Sequence, residues 1–461
     1  MQRTERDPLG ERQVPADAYY GIQTLRALEN FPISGLKAAP DFVTATVLVK
    51  KAAAEANASL GRLAPEVAAA IVRAADEVLG GALRDQFVVD VYQAGAGTSH
   101  NMNANEVLAN RAAEMLAAPK GAYEKVHPND HVNMSQSTND VFPTSTRIAL
   151  LIDHGPLVDS ARRLQSAIEH KSREFSAVLK VGRTHLQDAV PMTLGEVFGG
   201  YAACIERGAD DLEAASEQLM ELNLGATAVG TGLNAGSDYA EAAVNYLRAY
   251  TKLPVRRAKN LFRVTQSMGD VAAYSGAMRR LSIELGKVAS DFRLLSMGPR
   301  AGLSEIALPA VQPGSSIMPG KVNPSVPEMV NQVCYQVMGC DLTVAMAAEA
   351  GQLELNVMMP VIAWNALHSS RILREAMAAL RTKTVEGITA DTDRARELLD
   401  RSTAVATALS PHIGYAATAE IAKESVRTGK SIRAIAKERG VLTDAELDAL
   451  LAPERMTTPK Q

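Results

Sequence analysis

Long runs of apolar residues at alternating steps of three and four constrain this chain more than any other feature. Met278, Leu281, Leu285, Val288, Phe292 and Leu295 form one such stripe, the mark of an amphipathic helix with a single face to bury. Ile205, Ala209, Leu212, Ala215 and Leu219 repeat the pattern, as do Leu157, Ala161, Leu164 and Ile168. Stripes of this length need other helices to cover them, so a bundle is expected. The stretch 323–350 is apolar on more than one side through Val326, Met329, Val330, Val333, Val337 and Met338. A helix of that kind is expected inside a bundle or between subunits. Aromatic residues are scarce (one Trp, eleven Tyr and eight Phe), which argues against a sandwich or barrel of strands.

The texture divides the chain into three mainly helical parts. Residues 1–140 mix helical patches, expected over 43–60 and 65–79, with loops rich in Gly, Asn, Ser and Thr. Residues 141–390 carry the long stripes. In 391–461 the helices shorten, with Thr443 and Glu446 as a capping-box pair and Gly440 ending the helix before it. At 461 residues the chain exceeds what one compact core usually organises. Its 48 basic and 52 acidic residues leave a charge of −4, which excludes a strongly basic nucleic-acid binder. No apolar run approaches the ~18 residues of a membrane span, and the opening MQRTERDPLG is too charged for a signal peptide. Cys204, Cys334 and Cys340 lack metal-ligand spacing and read as reduced thiols of a cytoplasmic protein.

Four polar segments interrupt the helical texture: residues 95–106 (GAGTSHNMNANE), 135–140 (SQSTND), 182–191 (GRTHLQDAVP) and 314–324 (GSSIMPGKVNP). Loops without a functional duty seldom concentrate hydroxyls, amides, a histidine and a lysine in this way. The plainer alternative is that Thr98, Ser137 and Thr184 only cap helices. The last segment nearly imitates a phosphate-binding P-loop. Gly314 and Gly320 stand six apart where that motif needs five, however, and Val322 replaces its Ser or Thr. A GxSxG elbow is also missing, which argues against an α/β-hydrolase.

Residues 314–324 are very similar to the signature loop of the fumarase/aspartase superfamily, and the other three segments follow in that superfamily's order. Resemblance to its aspartate ammonia-lyase branch runs through PLGERQVPADAYYGIQTLRALENF, DQFVVDVYQAGAGTSHNMNANEVLAN, LNLGATAVGTGLN, GPRAGLSEIALP and VNQVCYQVMGCDLTVAMAAEAGQLELNV. Fumarases usually carry a His-Pro pair just beyond TGLN, where this chain has Ala235-Gly236-Ser237. The resemblance implies a mainly all-α, three-domain fold and a homotetramer with a twenty-helix core, each site assembled from three subunits. It implies reversible elimination of ammonia from L-aspartate to give fumarate, with no metal and no organic cofactor.

Ser315 would be the general base. Thr98, Ser137 and Thr138 would hold the reacting carboxylate, and Thr184, Lys321 and Asn323 the other one. Asn139 and His185 would face the amino group, Asn101 would be a supporting amide, and Glu328 would orient His185. The rivals are a fumarate hydratase using the same groups and a catalytically silent scaffold. Residues 127–130 (HPND) resemble an accessory anion site of fumarases, but Glu124 stands where those carry an arginine. An Asx turn is the preferred reading there.

Overall fold

The computed structural model describes residues 1–314, 316–452 and 456–457. Its elements begin with a hairpin of β1 (Gln2–Asp7) and β2 (Gly10–Pro15), followed by α1 (Ile22–Asn30), α2 (Pro40–Ser59), α3 (Pro65–Leu79) and α4 (Thr98–Met115). The long helix α5 (Thr138–Glu174) leads to a second hairpin, β3 (Leu179–Thr184) and β4 (Gln187–Thr193), and then to α6 (Leu194–Leu219). Short β5 (Glu221–Leu222), α7 (Ser237–Thr251), β6 (Arg256–Arg257) and α8 (Leu261–Gln266) precede α9 (Gly269–Leu295). After β7 (Ile306–Ala307) come α10 (Ser325–Glu349), α11 (Met359–Lys383) and β8 (Thr389–Ala390). The chain closes with α12 (Thr392–Arg401), α13 (Ser410–Ile413), α14 (Tyr415–Thr428), α15 (Ile432–Glu438) and α16 (Asp444–Leu450).

The architecture is mainly helical, and the described strands form separate two-stranded sheets. Local sequence explains several boundaries. The patch expected over 43–60 begins earlier, at Pro40, because proline at the first helical position costs no hydrogen bond. Pro65 starts α3 in the same way. Thr443 and Glu446 make the expected reciprocal capping box of α16, and Gly440 adopts φ +62° just beyond α15.

Two compact units divide the chain. The first comprises Met1–Asp159, Asp210–Ser282 and Tyr335–Arg374, and the second Ser160–Ala209, Ile283–Cys334 and Glu375–Gln461. In the first, α2, α3 and α4 bury an aliphatic core that includes Val47, Ile71, Val78, Val107 and Leu108. Arg147 of α5 lies fully buried there and donates from Nε to Asp270 at 2.7 Å. In the second, Phe198 stacks on Phe292 with ring centroids 5.5 Å apart and meets Phe175 edge-on. A separate small core joins Leu409, Ile421, Ile435 and Leu447. Cys334 and Cys340 are buried free thiols, whereas Cys204 is only half-buried. Among the described residues no helix is long and apolar enough to cross a membrane.

Candidate active site

In the first unit, two helix N-termini present the expected carboxylate-binding groups. Gly97 (φ +83°) leads into α4, and a Cβ at this position would stand 1.9 Å from the Phe142 ring. Only glycine fits that approach and that conformation together. Thr98 follows as the first residue of α4, exposed, with its hydroxyl donating to Gly95 O at 3.3 Å. Asn101, one turn on, is buried and donates from Nδ2 to Thr138 Oγ1 at 3.1 Å.

Ser137 caps α5. Its Oγ accepts from Asn139 N at 3.2 Å, and its own N–H reaches Asp140 Oδ1 at 3.0 Å. The capping alternative therefore holds for Ser137. It fails for Thr98, which donates backwards instead of accepting from its helix, and for Thr184, which ends a strand. Capping and substrate binding are compatible, because the free N–H groups and the dipole of a helix N-terminus attract carboxylates. Asn139 Nδ2 donates to Ala228 O at 2.8 Å. Asp140 Oδ2 accepts from Gly225 N at 3.0 Å and Thr227 N at 2.9 Å, so this side chain fastens the glycine-rich loop 225–232 to the start of α5.

Beneath these groups lies a polar layer that sequence reasoning missed. Lys50 of α2 is fully buried, and its Nζ donates to Asn133 Oδ1 at 2.8 Å and Gln136 Oε1 at 2.9 Å. Burial pushes its ammonium pKa down, while the Asp140 carboxylate opposes that shift. Burial pushes Asp140 up, against the pull of its three backbone donors. His100 is also buried, packed by Phe42 and Phe142, with Nε2 3.0 Å from Thr46 Oγ1. Burial, reinforced by the charge of Lys50, holds His100 down to about 3. It is a neutral packing group and not a proton carrier. The one available signal for Lys50 was a lysine set in the apolar run VLVKKAAA.

The second unit carries the remaining candidates. Thr184 pairs with Gln187 across the β3–β4 hairpin, which leaves His185 and Leu186 as a two-residue turn. Both have positive φ, +55° and +59°, the primed-turn geometry that Asn-Gly sequences usually supply. A histidine and a leucine there are held under local strain. The root of the hairpin is anchored by buried Glu305, which accepts from Arg183 at 3.0 Å and lies 3.5 Å from Lys180 Nζ.

The signature loop is closed at its neck. Asn323 Nδ2 donates to Gly314 O at 2.7 Å, and a Cβ on Gly314 would meet Lys321 O at 2.0 Å. Lys321 is exposed, and Glu328 lies half-buried in the first turn of α10. Ser315 lies outside the described residues. Near residues 127–130 the expected Asx turn is replaced by a turn built on a histidine ring. His127 Nδ1 accepts from Asn129 N at 3.2 Å and Asp130 N at 3.1 Å, a role the ring nitrogen fills because it precedes both amides. Among the described residues no group of His, Cys, Asp and Glu is placed to hold a metal ion.

A family model described as a lyase matches residues 10–339, and the model for the C-terminus of fumarase C matches residues 405–458. The chain belongs to the fumarase/aspartase lyase superfamily. Within this superfamily it is 50% identical to the aspartate ammonia-lyase of Escherichia coli K12 over 460 residues, covering 99% of this chain and 96% of that relative. The crystal structure of a fumarate lyase:delta crystallin from Brucella melitensis bound to cobalt is 51% identical, with a TM-score of 0.95 and both chains fully covered. A class II fumarase from Schistosoma mansoni is 36% identical, with a TM-score of 0.97 and equally full coverage. The backbone is thus shared with a solved class II fumarase, although sequence identity to it is lower than to the aspartate ammonia-lyases.

Proposed function

We infer that this protein is an aspartate ammonia-lyase, a carbon–nitrogen lyase that converts L-aspartate reversibly to fumarate and ammonia. Full-length identity near one half to curated aspartate ammonia-lyases supports the assignment, against about a third to a solved fumarase. The observation that carries the chemistry is the start of α5. Ser137, Thr138 and Asn139 stand at the N-terminus of a 37-residue helix, with Asn101 donating to Thr138.

The difficult step removes a proton next to a carboxylate and places a second negative charge on it, so aligned donors must wait for that charge. Thr98, Ser137 and Thr138 supply them in this reading, and Ser315 takes the proton with alkoxide character once its loop excludes water. Thr184, Lys321 and Asn323 hold the second carboxylate, and Asn139 and His185 face the amino group, with Glu328 behind His185. The chemistry needs no organic cofactor, because the substrate's own carboxylate is the electron sink.

The reading extends to a cytoplasmic homotetramer with a twenty-helix core, each site drawing on three subunits, and to a three-part chain divided at 1–140, 141–390 and 391–461. Association of subunits is supported by the outer face of α10, where Tyr335, Leu342 and Met346 are 64%, 63% and 65% exposed in the single chain. Soluble chains seldom leave such a stripe uncovered.

The deciding experiment adds L-aspartate or L-malate to pure protein and follows fumarate absorbance and free ammonia. Acceptors arranged for three ammonium protons are left unpaired by a hydroxyl, at about 1–3 kcal/mol for each buried group. L-malate should therefore react at least about a thousandfold more slowly, the effect of two such groups. Comparable rates on both substrates, or use of malate alone, would favour the hydratase.

A further inference from the structure

Lys50 has no part in the mechanism above, yet its burial has an evident cost. A lysine with no exposed surface gives up its hydration and retains it only through specific partners. Here the partners are two side-chain amides, Asn133 and Gln136, both in the loop that delivers Ser137 and Thr138. Gln136 is held in the matching sense, because its Nε2 donates to Val132 O at 3.0 Å and Met134 O at 3.1 Å.

The consequence is directional. An amide side chain can present either its oxygen or its nitrogen, and its neighbours decide which. The lysine donates to both carbonyl oxygens, and Asn133 Nδ2 donates to Gln136 O at 3.2 Å, so Asn133 presents Oδ1 to the lysine. That oxygen then accepts from Asn101 Nδ2 at 3.2 Å and from Asn105 Nδ2 at 3.3 Å. Asn101 has thereby committed its nitrogen, and the same NH2 group donates to Thr138 Oγ1 at 3.1 Å. A hydroxyl that accepts at its oxygen keeps its proton for another partner. Asn101 Oδ1 is buried with no partner, so the opposite arrangement, with Thr138 donating to Asn101, has an acceptor waiting.

We propose that Lys50 is a positioning residue of the elimination reaction. It sets the direction of the chain Lys50–Asn133–Asn101–Thr138, so that the Thr138 hydroxyl proton points to the substrate carboxylate and not back into the protein. The proposal deepens the reading of Thr138 as a carboxylate ligand and rests on it.

The test measures deamination of L-aspartate and competitive inhibition by succinate, a dicarboxylate that cannot eliminate, in folded enzyme of checked oligomeric state. Lys50→Met should weaken succinate binding and lower kcat/KM by about 10- to 100-fold, as expected for a lost buried donor. Asn101→Asp reverses the last link and should match Lys50→Met, which keeps the proposal testable if Lys50→Met does not fold. A lower melting temperature with unchanged KM and succinate inhibition in Lys50→Met or Asn101→Asp would overturn it. Thr138→Val separates the two levels. If Thr138→Val binds succinate normally, the carboxylate reading falls and takes the proposal with it. A weakened Thr138→Val beside a normal Lys50→Met removes the proposal alone.

Discussion

Most candidate residues of the first unit and two of those in the second are built on opposite principles. Asn101, Ser137, Thr138 and Asn139 are buried or half-buried, each bonded to a neighbour, over a layer of Lys50, Asn133 and Gln136. His185 and Lys321 are exposed, one on a two-residue turn of positive φ and the other on a loop gathered at its neck. The first set is organised before any ligand arrives, which suits groups that must stabilise a developing charge without reorganising. The second set is presented on a hairpin tip and a loop, which suits groups that engage after binding.

The contrast is sharpest in the response to single changes. Ser315→Ala, on the loop side, should lower deamination by several orders of magnitude while leaving the melting temperature nearly unchanged, because one oxygen and no core volume is lost. Activity above a few per cent of the parent would show that another group is the base. Gly97→Ala, on the organised side, should lose stability as well as activity, because Thr98 follows it directly. Its Cβ would overlap Phe142 at a φ of +83°, so a stability loss of about 2–4 kcal/mol is expected, read by thermal unfolding.

A smaller effect concerns acid. Folded His100 titrates near 3 and the unfolded residue near 6.5, so between those values the unfolded chain binds more protons. The stabilising effect of a neutral His100 is complete above pH 6.5 and declines as the pH falls towards 3, by at most about 1.4 kcal/mol per unit. His100→Gln should flatten the acid limb of the stability profile, and an unchanged slope would show that His100 is not buried neutral. The smallest change is Leu186→Gly on the hairpin tip. Relief of a left-handed leucine is offset by glycine's entropy, so stability should move by less than about 1 kcal/mol. A looser tip should cost more in KM than in melting temperature.

The helical architecture was legible because its signal is periodic. The stripe from Met278 to Leu295 is buried along α9 as the spacing requires. Ser137 was legible as a cap because Asp140 follows three residues later, and that relation is local. The strands of the β3–β4 hairpin were missed, since His185-Leu186 is not a turn dipeptide and its positive φ values are imposed by surrounding structure. Lys50 was missed for a different reason. Nothing near it in sequence satisfies its ammonium, and its partners lie 83 and 86 residues away. Burial of a charge is a tertiary fact, and a single sequence shows only the cost and not the compensation.

The Asp140 side chain sets how fast the loop beside it opens. Asp140 accepts the amides of Gly225 and Thr227 from within the first turn of α5. Those two N–H groups belong to a segment of small residues that would otherwise exchange with solvent deuterons quickly. Because their acceptor is itself buried in the helix, they open only when that end of α5 opens. Their deuterium uptake should then run orders of magnitude slower than that of an ordinary glycine-rich loop, and Asp140→Ala should release both amides together. The loop has the composition of a hinge and the lifetime of the helix that holds it.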